Sequence, residues 1–276
     1  MSSANYSVPP PTYGSARTTK PADEEAHEPL LAGSSRSAGV AIYDQADDDV
    51  PDDFKYGTTV SDSSMEIRAA FVRKVYTILL CQIAATTLFG GLLSQSRDTV
   101  LYVQAHPWTF YTPTILTFVN LGLLFWKRHS HPWNFVFLST FTLLEAFTLG
   151  IVVAFYDTTI VLQALIITLG VFIGLTLFTL QSKWDFDGMA PFLFGGLMAL
   201  CVTGLVGIFI PFSQTMDLIY AIGGTLLFSG YIVYDTYLIN SRLSPDEYIM
   251  GAISLYLDFI NLFLSILRLL NNIQDR

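Results

Sequence analysis

From Val75 to the C-terminus the chain is a succession of apolar runs separated by connectors too short to fold on their own. A helix that crosses a bilayer needs about 20 apolar residues. Stretches of that kind lie near 75–94, 109–126, 134–155, 160–180, 190–210, 217–239 and 249–270. Lipid offers the backbone no hydrogen-bonding partner, so such runs must satisfy their own N–H and C=O groups as helices. The sequence therefore predicts an all-α, polytopic membrane protein, a seven-transmembrane-helix bundle. Charge content agrees: 13% of the 276 residues are charged, against about 25% in soluble domains.

The charge that exists is unevenly placed. Residues 1–64 hold 11 acids and 4 bases among Pro, Ser and Ala. Such a segment buries too little apolar surface to offset the entropy of ordering. It is expected to be a disordered acidic cytosolic tail, with residues 65–276 forming the transmembrane domain. The overall acidity belongs mostly to that tail, and the absence of a basic face argues against nucleic-acid binding. The bases flanking the spans set orientation. Arg68, Arg73, Lys74, Lys127, Arg128, Lys183 and Arg242 fall on the side of the N-terminus, and Arg97, Arg268 and Arg276 on the other if all seven spans cross. That asymmetry predicts a cytosolic N-terminus. The last span, with two arginines near its end, has a re-entrant path as its alternative.

Pro191 suits a first helical turn, and Ser244-Pro245-Asp246-Glu247 reads as a cap opening the last span. Gly170 and Gly174, and the series Gly195, Ala199, Thr203 and Gly207, are spaced to let helices pack closely within the molecule. Cys81 and Cys201 lie inside apolar runs and read as small packing residues rather than a disulfide.

Three carboxylates fall inside spans: Glu145, Asp235 and Asp258. Charge in a bilayer is costly, so such residues face a cavity or a partner. At ~1.5 Å per residue, Glu145 and Asp258 lie ~16 and ~13 Å from the cytosolic side, and Asp235 ~6 Å. All three are expected to line one cytosol-facing vestibule. Ser254, Asp258, Asn261 and Ser265 follow helical spacing and form one polar stripe on the last span. Two carboxyl groups in hydrogen-bond reach share one proton and titrate as a unit. With Asn261 and carbonyl oxygens, Asp235 and Asp258 also offer the hard oxygen ligands that suit a transient Ca²⁺. The bland alternative is that each acid merely hydrogen-bonds a neighbouring helix.

The segments GTLLFSGYIVYDTYLI and LSPDEYIMGAISLYLDFINLFLSILRLL, with FTLLEAFTLGIVVAFYDTTIVLQALIITLGVFIGLTLFTLQSKWDF earlier, resemble the Bax inhibitor-1 family, in particular its Lifeguard or Golgi anti-apoptotic branch. The resemblance covers about residues 68–272, and DVPDDFKYG in the tail resembles fungal members. It implies a seven-helix protein of the endoplasmic reticulum, Golgi or vacuole, associated with calcium leak, resistance to cell death and the unfolded-protein response. It also implies that the YDT acid, Asp235, and the LYLD acid, Asp258, form a pH-sensing pair, with Glu145 matching the third-helix glutamate. Calcium would be the permeant ion, and no cofactor is implied. Bacterial relatives can pair the sixth-helix acid with a second-helix arginine. This chain has only Lys127 and Arg128 at the end of that span, which leaves no basis for such a latch.

Rival chemistry fits less well. Tyr234-Asp235 mimics one motif of intramembrane aspartyl proteases, but Leu255-Tyr256-Leu257-Asp258 lacks their Gly-x-Gly-Asp, and no Pro-Ala-Leu occurs. Serine proteases of the membrane fail because His27, His106, His129 and His131 all lie outside the spans, so no enzyme is expected. A non-channel scaffold that regulates cell-death or stress partners is the alternative function. In the tail, Pro10, Pro11 and Tyr13 fit PPxY, a polyproline segment suited to the aromatic groove of a WW domain, for instance that of a ubiquitin ligase.

Overall fold

The computed structural model describes residues 59–274, and every regular element among them is helical. A 3₁₀ turn at Val60–Asp62 leads into α1 (Met65–Ser94), α2 (Arg97–Ala105), α3 (Trp108–Lys127), α4 (Trp133–Val153), α5 (Thr158–Gln181), a second 3₁₀ turn at Asp187–Met189, α6 (Ala190–Phe209), α7 (Gln214–Ser241) and α8 (Tyr248–Gln274). Seven of the eight helices are long and apolar enough to cross a membrane, the exception being α2. They coincide with the seven expected spans. Tail positions 1–58, with Pro10, Pro11 and Tyr13, lie outside the described residues.

Helix starts follow local chemistry. The Asp157 carboxylate accepts from the Thr159 N–H at 2.7 Å, and the Ser213 hydroxyl from Met216 N–H at 3.4 Å. Pro191 sits in the first turn of α6. The Ser244 N–H donates to the Glu247 carboxylate at 3.3 Å, which is the reaching-back half of a capping box. α1 starts at Met65, well before the apolar run at 75, because Ser64 caps it and its basic first turns continue as helix beyond the hydrocarbon. Residues just before the expected boundary at 64 also pack on the bundle. Val60 is fully buried, and its N–H donates to the Leu243 carbonyl at 2.9 Å, which ties this stretch to the α7–α8 connector.

The last helix is the centre of the bundle. α8 packs against α7, α1 and α5, and its rings reach α4 through the edge-to-face pair Tyr256–Phe141 at 6.0 Å. Leu255, Tyr256, Leu262 and Leu267 are fully buried. Its 27 residues run unbroken, ~40 Å at ~1.5 Å per residue, so the path is a full-length helix and not a re-entrant loop. α6 is the outermost element, with Leu193 its sole buried residue.

Close helix approach occurs elsewhere than the glycine spacings suggested. Gly170 and Gly174 face open space. The tight seam is between α1 and α4, where a Cβ on Gly150 would lie 3.0 Å from Gly90 Cα. Only glycine permits that contact. The two cysteines are likewise on the outer surface of the bundle rather than in its packing. Asn120, a polar residue in the middle of α3, is buried and donates to the Phe137 carbonyl of α4 at 3.2 Å.

Candidate functional site

Asp235 and Asp258 meet where α7 and α8 pack. Ile232, Val233, Thr236 and Ile239 turn one face of α7 into the core, and Asp235 sits at its edge, half-buried. Asp258 is 6% exposed. The two carboxyl groups are close enough for each to act on the other. Tyr231, one turn before Asp235, is close enough to feel both charges. The Asp258 Oδ2 atom is buried without a partner.

The polar stripe on α8 faces α7, as a stripe unable to face lipid should. Ser265 sits so close to Gly224 that a Cβ there would lie 2.5 Å from the serine hydroxyl. Asn261, however, donates to the Leu257 carbonyl at 2.8 Å, and Ser265 donates to the Asn261 carbonyl at 2.8 Å. The Asn261 amide therefore serves its own helix rather than bridging the aspartates.

Bases near this end of the bundle are engaged elsewhere. Arg68 donates to Asn240 at 3.2 Å, Lys74 lies 3.4 Å from the centre of the Tyr248 ring, and Arg128 pairs with Glu247 at 3.5 Å. Arg242 pairs with Asp187. Among the described residues neither Asp235 nor Asp258 makes a salt bridge. Arg128, at the end of the second span, pairs with Glu247 of the α7–α8 connector rather than with Asp235. No group of three or more His, Cys, Asp or Glu converges among the described residues, so the pair has two carboxylates to offer a cation.

Glu145 is not part of this pair. On the other side of α8 the Tyr256 hydroxyl is bonded to Thr86 of α1 at 2.7 Å, and Gln82 of α1 donates to Thr142 of α4, one turn before Glu145, at 3.1 Å. Tyr256 and Asp258 are two residues apart, ~200° around the helix, so α8 separates two polar centres. Asp258 thus faces α7 beside Asp235, while Tyr256 faces α1 and α4. Similar depth along the membrane normal carries no information about which face a residue occupies.

A third polar centre, absent from the sequence reading, joins the other ends of α7 and α8. Arg268 and Asn272 both donate to the Asp217 carboxylate, and Arg268 lies 4.7 Å from the Tyr220 ring centre. The i, i+4 spacing of Arg268 and Asn272 on α8 was the available signal.

The comparisons with known proteins agree with this architecture. A family model described as inhibitor of apoptosis-promoting Bax1 matches residues 68–276. The chain belongs to the Bax inhibitor-1 family. It is 46% identical over 224 residues to Bax inhibitor 1 of Schizosaccharomyces pombe, covering 81% of this chain and 84% of that protein. It is 44% identical over 230 residues to protein lifeguard 4 of Mus musculus, covering 82% and 95%. The Golgi anti-apoptotic protein of vaccinia virus is 42% identical over 224 residues, covering 80% and 93%. The chain is accordingly a multi-pass membrane protein of an anti-apoptotic family, and the Lifeguard and Golgi anti-apoptotic resemblance holds across the whole bundle.

Proposed function

We propose that this protein is a pH-sensitive calcium leak channel of an endoplasmic-reticulum, Golgi or vacuolar membrane, through which it modulates calcium homeostasis, cell death and the unfolded-protein response. The observation that carries this reading is the placement of Asp235 and Asp258 near one another where α7 packs on α8, with no salt-bridged base. With one proton between them the two carboxyl groups hold α7 to α8. Once the proton leaves, two negative charges repel each other and present oxygen ligands of the kind Ca²⁺ prefers. Proton and calcium then compete for the same atoms. The name of the vaccinia relative supports an intracellular membrane, and the bases flanking the spans support a cytosolic N-terminus.

Asp→Asn keeps size and most hydrogen bonding but removes a titrating group. In calcium-loaded liposomes, Asp235→Asn and Asp258→Asn should each flatten the pH dependence of efflux, with the double variant little worse than either single one. Glu145→Gln, on α4, should change flux magnitude more than pH response. Wild-type pH dependence in both aspartate variants would defeat the paired-acid mechanism, and absence of flux from the wild type would favour the scaffold.

On the cytosolic face so assigned, Pro10, Pro11 and Tyr13 would recruit a WW-domain ubiquitin ligase. Sealed microsomes bearing the protein with an N-terminal epitope tag should bind antibody from outside. They should also retain a purified WW domain, with retention lost in Tyr13→Ala. A protected tag would reverse the orientation; retention unchanged by Tyr13→Ala would remove the motif.

A further inference from the structure

Beginning one residue past Asp258 along α8, a cavity of about 170 Å³ opens between α1, α4, α5 and α8. It exists because α1 and α5 do not pack closely against one another and because Gly90 and Gly91 contribute no side chain to its wall. Its floor is Phe259, Ile260 and Phe263 of α8, which are 2–4% exposed. Two lining residues, Thr87 of α1 and Leu162 of α5, are exposed on the outside of the bundle, so the mouth is lateral.

The mouth faces hydrocarbon. Thr87 lies seven residues before the end of α1 and Leu162 four residues after the start of α5. At ~1.5 Å per residue this is ~10 and ~6 Å inside the helix ends, within an apolar layer ~30 Å thick. Water has little to bind there: the Thr86 hydroxyl is bonded to Tyr256 at 2.7 Å, and Ser94 donates to the Gly91 carbonyl at 2.9 Å. A buried water needs about two to four polar partners, whereas an apolar cavity of ~150 Å³ stays dry and accepts benzene. The available volume thus matches a short length of hydrocarbon and is too small for a fused-ring sterol.

We propose that this cavity is a binding site for one acyl chain of a membrane phospholipid, which enters between α1 and α5 and ends against Phe259 and Phe263 of α8. The headgroup stays at the membrane surface beyond the end of α1. The bound chain fills the gap that the α1 glycines leave open, and so supplies packing contacts that no side chain provides.

The burial of α8 gives a clean readout. The full-length protein would be placed in nanodiscs of phosphatidylcholine bearing a diazirine at the end of one acyl chain, irradiated, and its adducts mapped by mass spectrometry. Adducts are expected on Phe259–Phe263 as well as on the lipid-facing surface of α6. A Cβ at Gly91 meets nothing within 4 Å, so Gly91→Leu plugs the cavity without a clash at its root. That variant should lose the α8 adducts and keep those on α6, which also reports that the bundle is folded. Should Gly91→Leu misfold, Leu162→Phe at the mouth should weaken the same α8 adducts. Absence of α8 adducts in the wild type, or α8 labelling unchanged by a folded Gly91→Leu protein, would overturn the site.

Discussion

α8 and α6 are both apolar helices of spanning length, yet 67% of the membrane window of α8 is buried inside the protein and only 6% of that of α6. They find their apolar surroundings from different sources. α8 is enclosed by α1, α5 and α7, whereas α6 leans on α7 and otherwise presents Phe192, Phe194, Leu205, Ile208 and Phe209 to lipid. Hydropathy separates crossing from non-crossing segments but does not separate these two. Polar residues do. α8 carries Asp258, Asn261, Arg268 and Asn272, all of which need protein neighbours, while α6 carries no charge at all. Inside a bilayer, greasiness selects the spans and the exceptions to it select the interior.

Matched substitutions put the contrast at risk. Leu262→Ala removes a fully buried side chain of α8, and should destabilise the fold by about 2–5 kcal/mol, read as a lowered thermal unfolding midpoint in detergent micelles. Leu205→Ala on α6 removes a side chain that is 59% exposed, and should change stability by no more than about 0.5 kcal/mol. Equal shifts would mean that α8 is not the packing centre. A large effect at Leu205 alone would mean that α6 docks against something other than lipid.

The seven spans were legible because a bilayer imposes a length and a composition on anything that crosses it. The aspartate pair was legible because Asp235 and Asp258 fall in segments where a charge needs a reason to exist. What escaped was azimuth and local docking. Glu145 was grouped with the aspartates by depth alone, yet it lies on α4, whereas Asp235 and Asp258 meet where α7 packs on α8. Glycine spacing pointed to Gly170 and Gly174, although the close seam uses Gly90 and Gly150, because spacing along one helix does not reveal which face has a partner. The nine residues of α2 were too few for a span and too polar to stand out. Val60 is one buried apolar residue in a polar setting, a signal that composition averages away. Arg268 was counted as a free base on the disfavoured side, although Asp217 on the preceding span answers its charge.

That last pairing bears on how the chain enters a membrane at all. A segment with an aspartate, an arginine and three asparagines is a poor substrate for release into lipid on its own. α7 and α8 are joined by the connector 242–247, and their distant ends carry Asp217 and Arg268 in contact. The two helices form a hairpin whose opposing charges cancel across its open end. In lipid the paired hairpin costs less than either helix with its charge unanswered.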